Sequence, residues 1–462
     1  MVKTQTLKKL RLILTKKEMR RLFALSFGYF FLSLSEAFGI GIMIPIMNLY
    51  LNFDKIGSSR IFIWFSRLTG ITNTVYFFSL LIVAALALFA AKALYSLFML
   101  YLQQRFVSDV YNRLSSGILG SYLAKPYAFH FENNSAILFK NIITEVGLLT
   151  QSFLTPLILI SSEIMNISVI FLLLVCFYPV MTLSLVVVFC LITVIMNTFF
   201  KKRIKAYSVI REKYSDQLHK HALQSLQAIK EIKVYDVPGF FIEKFSSAVG
   251  KYSDGLVKFN FVSGLPRYML ETLLFSVALI IILVSVNSGW PSSKLIPMMT
   301  VMVIASFRFL PSINKIYTNI NLFHYSLNSL DIIHDIMNEK KEELAPPFDH
   351  PEKQISVEAG CIILDRITFS YKGTAAPIFN GLSLSIPLNS TIAIVGETGA
   401  GKSTLVDIVT GLLSPSQGAL YYNALPITSS NIAAYRREIG YVSQQIVLID
   451  DTLESNIAFG IP

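Results

Sequence analysis

An all-α, six-helix membrane domain followed by a partial α/β domain is the fold class that this sequence predicts. Three observations predict it. Hydrophobic residues make up 53% of the 462 residues and charged residues 15%, with mean hydropathy +0.57; a soluble domain carries about 25% charged residues. The apolar residues gather into stretches of at least the ~20 residues that cross a bilayer. After Pro351 they give way to short β-type runs around a glycine-rich loop. A disordered chain, a secreted disulfide scaffold and an ordinary cytosolic enzyme are excluded.

Each element follows in order. Residues 1–21 hold eight basic residues and one acid, Glu18. Thr15-Lys16-Lys17-Glu18 fits a capping box, so a helix starts at Thr15; its basic, amphipathic character suits an elbow on the inner leaflet. Span one covers Leu22–Leu51, with Glu36 its only charge and a kink expected before Pro45. Between Arg60 and Leu68, Ile61, Trp64, Phe65 and Leu68 share a helical face, which fits a short interfacial helix or a plain structured loop. Span two covers Ile71–Gln104, interrupted by Lys92. Spans three and four share residues 141–200, without one Lys or Arg, and turn at Phe177-Tyr178-Pro179. Span five covers Arg267–Val286. Span six covers Leu295–Ile320, interrupted by Arg308. The longer spans are expected to project into water.

Loop charge sets the topology. Residues 201–262 hold twelve basic residues against six acids, and the loop 105–140 is also long and basic. Both belong on the cytoplasmic side, with the N-terminus and the C-terminal domain. The net charge of +11 is thereby a collar at the inner leaflet, and no nucleic-acid partner is implied. Cys176, Cys190 and Cys361 are far apart, so neither a disulfide framework nor a zinc site is indicated. The first apolar run lacks a small-residue cleavage site and reads as a retained span.

Pro346, Pro347 and Pro351 mark a linker. Cys361–Phe369, Leu382–Ile386 and Thr391–Val395 are β-type runs, and Leu405–Leu412 is a helix. Between the last two lies Gly396-Glu397-Thr398-Gly399-Ala400-Gly401-Lys402-Ser403-Thr404, which matches G-x-x-x-x-G-K-[ST]. Glycines at this spacing let backbone N–H groups converge on phosphate oxygens at a helix N-terminus. Lys402 would neutralise the β- and γ-phosphates of ATP, and Ser403 would ligate Mg²⁺.

The surrounding residues resemble the nucleotide-binding domain of ABC transporters. Phe369-Ser370-Tyr371 lies where that family has an adenine-stacking aromatic, which makes Tyr371 the base candidate; a core aromatic is the plainer reading. Asn380–Ile386 resembles the strand before the cradle. Ile439-Gly440-Tyr441-Val442-Ser443-Gln444 resembles the Q-loop, so Gln444 would sense Mg²⁺ and the γ-phosphate. Ile446–Asp451 imitates a Walker B strand but lies where the family has a turn, and neither Asp450 nor Asp451 is taken as the catalytic acid. No LSGGQ-like segment, no Walker B strand with its Glu and no histidine follow the cradle. The resemblance therefore implies a C-terminal truncation within the nucleotide-binding domain, and a chain that binds ATP but hydrolyses it poorly.

Six spans ahead of such a domain resemble an ABC exporter half-transporter working as a homodimer. The expected divisions are 1–325 for the membrane domain, 326–354 for stalk and linker, and 355–462 for the nucleotide-binding part. Coupling segments are expected at Pro126–Glu132 and Glu231–Phe240. Ser35-Glu36, Gly264–Tyr268, Phe307–Asn314, Asp331–Ile333 and Lys402–Asp407 are similar to the lipid-linked oligosaccharide flippases of bacterial protein N-glycosylation. That resemblance implies a polyprenyl-diphosphate oligosaccharide as cargo at the bacterial inner membrane, with cavity cations at Lys92, Arg267 and Arg308 contacting its pyrophosphate. Lys92 departs from the family's arginine and loses the fork. The plainer readings are an i,i+4 pair of Arg267 with Glu271 and snorkelling of Lys92 and Arg308; no acid is expected near the latter two. A general lipid or drug exporter, or a membrane-bound nucleotide sensor without turnover, also fits.

Overall fold

The basic N-terminal helix α1 (Thr4–Ile13) ends where Thr15 opens the next one, α2 (Lys16–Leu51). In the computed structural model the capping box forms in full: Thr15 N–H donates to Glu18 Oε2 at 2.8 Å, and Glu18 N–H donates to Thr15 Oγ1 at 3.2 Å. The structure describes residues 4–51, 60–70, 73–177, 198, 206–207, 209–210, 213–215, 217–288, 292–342, 360–371, 376–444, 446 and 448–460. Span four, the Tyr178-Pro179 turn and the proline linker lie outside the described residues.

The chain divides into two compact units, Met1–Leu119 with Phe139–Glu339, and Gly120–Leu138 with Lys340–Pro462. The first is helical. After α2 come α3 (Arg60–Thr69), α4 (Thr74–Leu123), α5 (Tyr127–Glu132), which falls in the second unit, α6 (Ser135–Lys140) and α7 (Thr155–Phe177). α8 (Ile229–Val234), α9 (Pro238–Asn287), α10 (Ser292–Tyr325) and α11 (Leu327–Glu342) follow. Wider π turns at Asn141–Glu145 and Leu148–Leu154 join α6 to α7. Among the described residues, the helical runs Thr74–Leu123 and Ser135–Leu172 are long and apolar enough to cross a membrane. At 1.5 Å per residue, α4 is about 75 Å long, more than twice the hydrocarbon core, as expected of a span that projects into water.

α2 is helical through Pro45; a proline frees only one carbonyl, a loss that membrane helices tolerate. The segment after Arg60 is helical, not a plain loop. It is pinned by Phe62, buried edge-on against Phe77 at 5.2 Å. Trp64 faces outward.

α2 and α10 both pack on α7, and α9 packs on α10. Phe153 stacks on Phe323 at 4.6 Å, and Ser326 Oγ donates to Ser152 O at 2.7 Å. Charged pairs join helices distant in sequence. Arg113 of α4 grips the capping-box Glu18 with Nε at 2.6 Å and Nη2 at 2.8 Å. It also donates to Ile13 O at 3.1 Å. Lys9 meets Asp331 at 2.7 Å, and this hydrogen bond raises the ammonium's pKa above its ordinary value. Arg21 meets Asp109 at 2.9 Å, and Lys315 meets the buried Glu163 at 2.8 Å.

The second unit holds the sheet β2–β1–β3–β4, built from β1 (Cys361–Phe369), β2 (Phe379–Pro387), β3 (Gln417–Tyr422) and β4 (Leu425–Pro426), all antiparallel. Its core gathers Leu364, Ile367, Phe369, Ile408, Leu413, Leu420, Tyr422 and Tyr435, with Ala128 of α5 packed against them. Around it lie α12 (Lys402–Val409), α13 (Ile432–Arg437) and α14 (Leu453–Ala458). The expected strand Thr391–Val395 is a correction. It joins no ladder, and Val395 is 90% exposed. A fully apolar strand persists only between strand neighbours that satisfy its backbone. The antiparallel sheet offers it none among the described residues.

Candidate functional site

The cradle is built where residues 396–401 turn into α12. Gly399 and Gly401 both have φ +89, and a Cβ on Gly401 would stand 2.6 Å from Ile378 Cγ2. Only glycine combines that backbone with that approach. The turn is tied by Ala400 N–H to Glu397 O at 3.2 Å, and α12 opens with Leu405 N–H to Gly401 O at 2.9 Å. The N–H groups at the start of a helix lack intrahelical acceptors and carry the positive end of its dipole.

Lys402 Nζ folds back onto its own loop, donating to Gly396 O and Glu397 O, each at 2.7 Å. Two neutral carbonyls hold an ammonium less strongly than a phosphate would, so this position suits exchange for an anion. Ser403, next in the chain, is exposed, whereas Thr404 is buried. Glycine cradle, lysine and hydroxyl thus fit an ATP–Mg²⁺ group.

Tyr371 lies beside this helix. Its hydroxyl is 3.2 Å from Thr404 Oγ1, and the edge of Phe369 meets its ring at 5.1 Å. One of its ring faces is covered by Phe131 of α5, stacked at 5.2 Å and 22°. The segment expected to couple therefore belongs to the same compact unit as the cradle and reaches the candidate base residue. Tyr127 of α5 has its pKa raised, first by burial and then by Asp407, Tyr441 and Tyr371. Burial also raises the Asp407 carboxyl. Beneath them, burial pushes Tyr435 up to about 12, and its hydroxyl donates to Val409 O at 2.6 Å. Arg436 donates to Gly411 O. Together these fasten α13 to the end of α12.

Sequence reasoning missed Phe131 as a partner of Tyr371. The two belong to stretches far apart in the chain, and no local pattern links them. Gln444 is exposed. Asp450 and Asp451 sit in a turn, as expected: Asp451 Oδ1 accepts from Thr452 N–H at 2.7 Å, and Thr452 caps α14 through Ser455 N–H at 3.1 Å. Glu231–Phe240 falls on α8 and the start of α9, where Tyr235 and Phe240 are exposed and Lys244 lies over the Phe240 ring at 4.4 Å.

In the helical unit, the three candidate cargo cations have different surroundings. Lys92 of α4 pairs with Glu36 of α2 at 3.3 Å, which corrects the expectation of no nearby acid; α2 and α4 bring together charges that lie in separate spans. Arg267 Nε donates to Glu271 Oε1 at 3.1 Å, the i,i+4 pair. Arg308 lies on helix α10, and its side chain is outside the described residues.

The two halves have counterparts in known proteins. A model described as "ABC transporter transmembrane region" matches residues 22–309, and one described as "ABC transporter" matches residues 379–457. The first alone covers more than half of the chain, and the chain belongs to the ABC transporter family.

Among its relatives, the ATP-dependent lipid A-core flippase 2 of Colwellia psychrerythraea is 26% identical over 359 residues, covering 76% of this chain and 59% of that protein. The ATP-dependent lipid A-core flippase of Salmonella typhimurium is 24% identical over 344 residues, covering 74% and 58%. The chain thus spans less than two thirds of the length of these relatives. A solved structure described as a bacterial Atm1-family ABC exporter with ATP bound shares the fold, with TM-score 0.65 at 17% identity over 96% of this chain and 74% of that one.

Proposed function

We propose that this chain is one subunit of an ATP-driven lipid flippase. Two copies would carry a glycolipid with a phosphorylated head group from the inner to the outer leaflet of a bacterial inner membrane. The N-terminus and nucleotide-binding part would lie in the cytoplasm. The observation that carries the reading is the glycine cradle with Lys402 poised on two carbonyls, on a chain whose membrane half matches the ABC transporter transmembrane region. Lipid A-core, named for the relatives, and polyprenyl-diphosphate oligosaccharide, suggested by the motifs around Arg267 and Arg308, share a phosphate-bearing sugar–lipid chemistry. The polyprenyl-diphosphate cargo is the narrower proposal, with Lys92, Arg267 and Arg308 on its pyrophosphate.

ATP, when bound, supplies the free energy for the conformational cycle. Gly396 to Thr404 would hold its phosphates by backbone N–H groups, Lys402 and Ser403, the last as a Mg²⁺ ligand with Gln444. Tyr371 would orient the base by stacking. Asp451 accepts from Thr452 N–H beside the α14 cap and is given no catalytic role.

The test is reconstitution of the chain in proteoliposomes with ATP and Mg²⁺. Movement of a polyprenyl-diphosphate oligosaccharide or of lipid A-core to the outer leaflet is expected, lost in Lys402→Ala. Equal movement of ordinary phospholipids would favour a general exporter. ATP binding with no translocation would favour a nucleotide sensor.

A further inference from the structure

Lys92, paired with Glu36, lines a cavity of about 420 Å³ between α2 and α4. The other walls are apolar or small: Phe38, Ala85, Leu88, Phe89 and Ala91. Two hydroxyls complete the lining, and both donate elsewhere. Ser35 Oγ donates to Leu32 O at 2.7 Å, and Tyr95 Oη donates to Gly28 O at 3.0 Å. Among the lining side chains, Lys92 is therefore the donor left to meet an anion, and Glu36 already holds it. Both are largely shielded, with side-chain exposures of 18% and 22%. Charges at membrane depth are expensive and persist when paired.

That pairing changes what the cavity can select. A head group with one negative charge offers Lys92 no more than Glu36 does, and it brings a like charge beside the Glu36 carboxylate. A head group with two negative charges offers about twice the attraction at the same separation, enough to displace Glu36. We propose that Glu36 determines cargo specificity: as the built-in counter-ion of Lys92, it lets diphosphate head groups bind and turns away monophosphate ones. This rests on the phosphate-bearing cargo proposed above. It adds a repulsive element that discriminates by charge, as specific sites commonly do.

The experiment measures retention of two probes by the full chain in phosphatidylcholine nanodiscs: a polyprenyl diphosphoryl sugar and the same sugar on the same tail through one phosphate. The native chain is expected to prefer the diphosphate by about tenfold or more. Glu36→Gln is expected to raise monophosphate binding and bring the ratio to about two, while Lys92→Gln lowers binding of both. Glu36→Asp, which keeps the charge, is expected to retain the native ratio. An unchanged ratio in Glu36→Gln, with the diphosphate still bound, overturns the role of Glu36 alone. The same shift in Asp and Gln variants would make the effect one of shape and also overturns it. Failure of the native chain to retain either probe removes the phosphate-bearing cargo reading and this inference with it.

Discussion

The two units use charge in opposite ways. In the helical unit, described charges near the core are consumed by partners from other helices: Lys92 by Glu36, Arg113 by Glu18, Lys315 by Glu163. In the second unit, the ammonium of Lys402, the proposed phosphate ligand, rests on two carbonyls of its own loop. The first arrangement suits a low-dielectric setting, where an unpaired ion is costly. The second suits a site kept ready for an incoming anion, because neutral acceptors are readily exchanged. Pairing therefore marks structure or selectivity in one half, and loose satisfaction marks a binding position in the other.

Three changes would break or sharpen that contrast. The largest effect is expected from Lys402→Ala: removing one preorganised charged donor should weaken ATP binding by about a hundredfold, with little change in thermal stability. A melting temperature that falls along with affinity would mean that Lys402 is structural. Next, Glu18→Ala should lower stability by about 2 kcal/mol, since it removes a capping box and leaves the Arg113 guanidinium without its carboxylate. Glu18→Gln should lose less, because the amide oxygen can still serve the cap. Denaturation of both variants, with ATP affinity followed in parallel, checks that the effect stays in the helical unit. The smallest effect is expected from Phe131→Ala. An aromatic pair contributes about 1 kcal/mol, so loss of the ring that steadies Tyr371 should weaken ATP binding several-fold and leave inorganic triphosphate binding unchanged. Equal weakening of both ligands would place Phe131 in general support of the cradle rather than in the base site.

The same contrast explains how much was legible beforehand. The cradle could be read because nine consecutive residues carry its backbone, its cation and its hydroxyl. The capping box could be read for the same reason, with Thr15 and Glu18 one helical turn apart. The cap at Thr452 to Ser455, which directly follows Asp451, is local in the same way. The strand expected at Thr391–Val395 shows the opposite case: its composition suits a buried strand, but a strand exists only with a ladder partner, and composition does not name one. The helix at Arg60–Thr69 is fixed by Phe62 meeting Phe77, a contact that local periodicity does not name.

By itself, the sequence determined the membrane character, the order of the two halves and the phosphate cradle, because hydropathy and glycine spacing act locally along the chain. Tertiary structure alone decided which acid neutralises Lys92, which arginine secures Glu18 and which ring covers Tyr371. These are contacts between segments distant in sequence, set by how helices pack and by the cost of leaving a buried charge or an aromatic face without a neighbour.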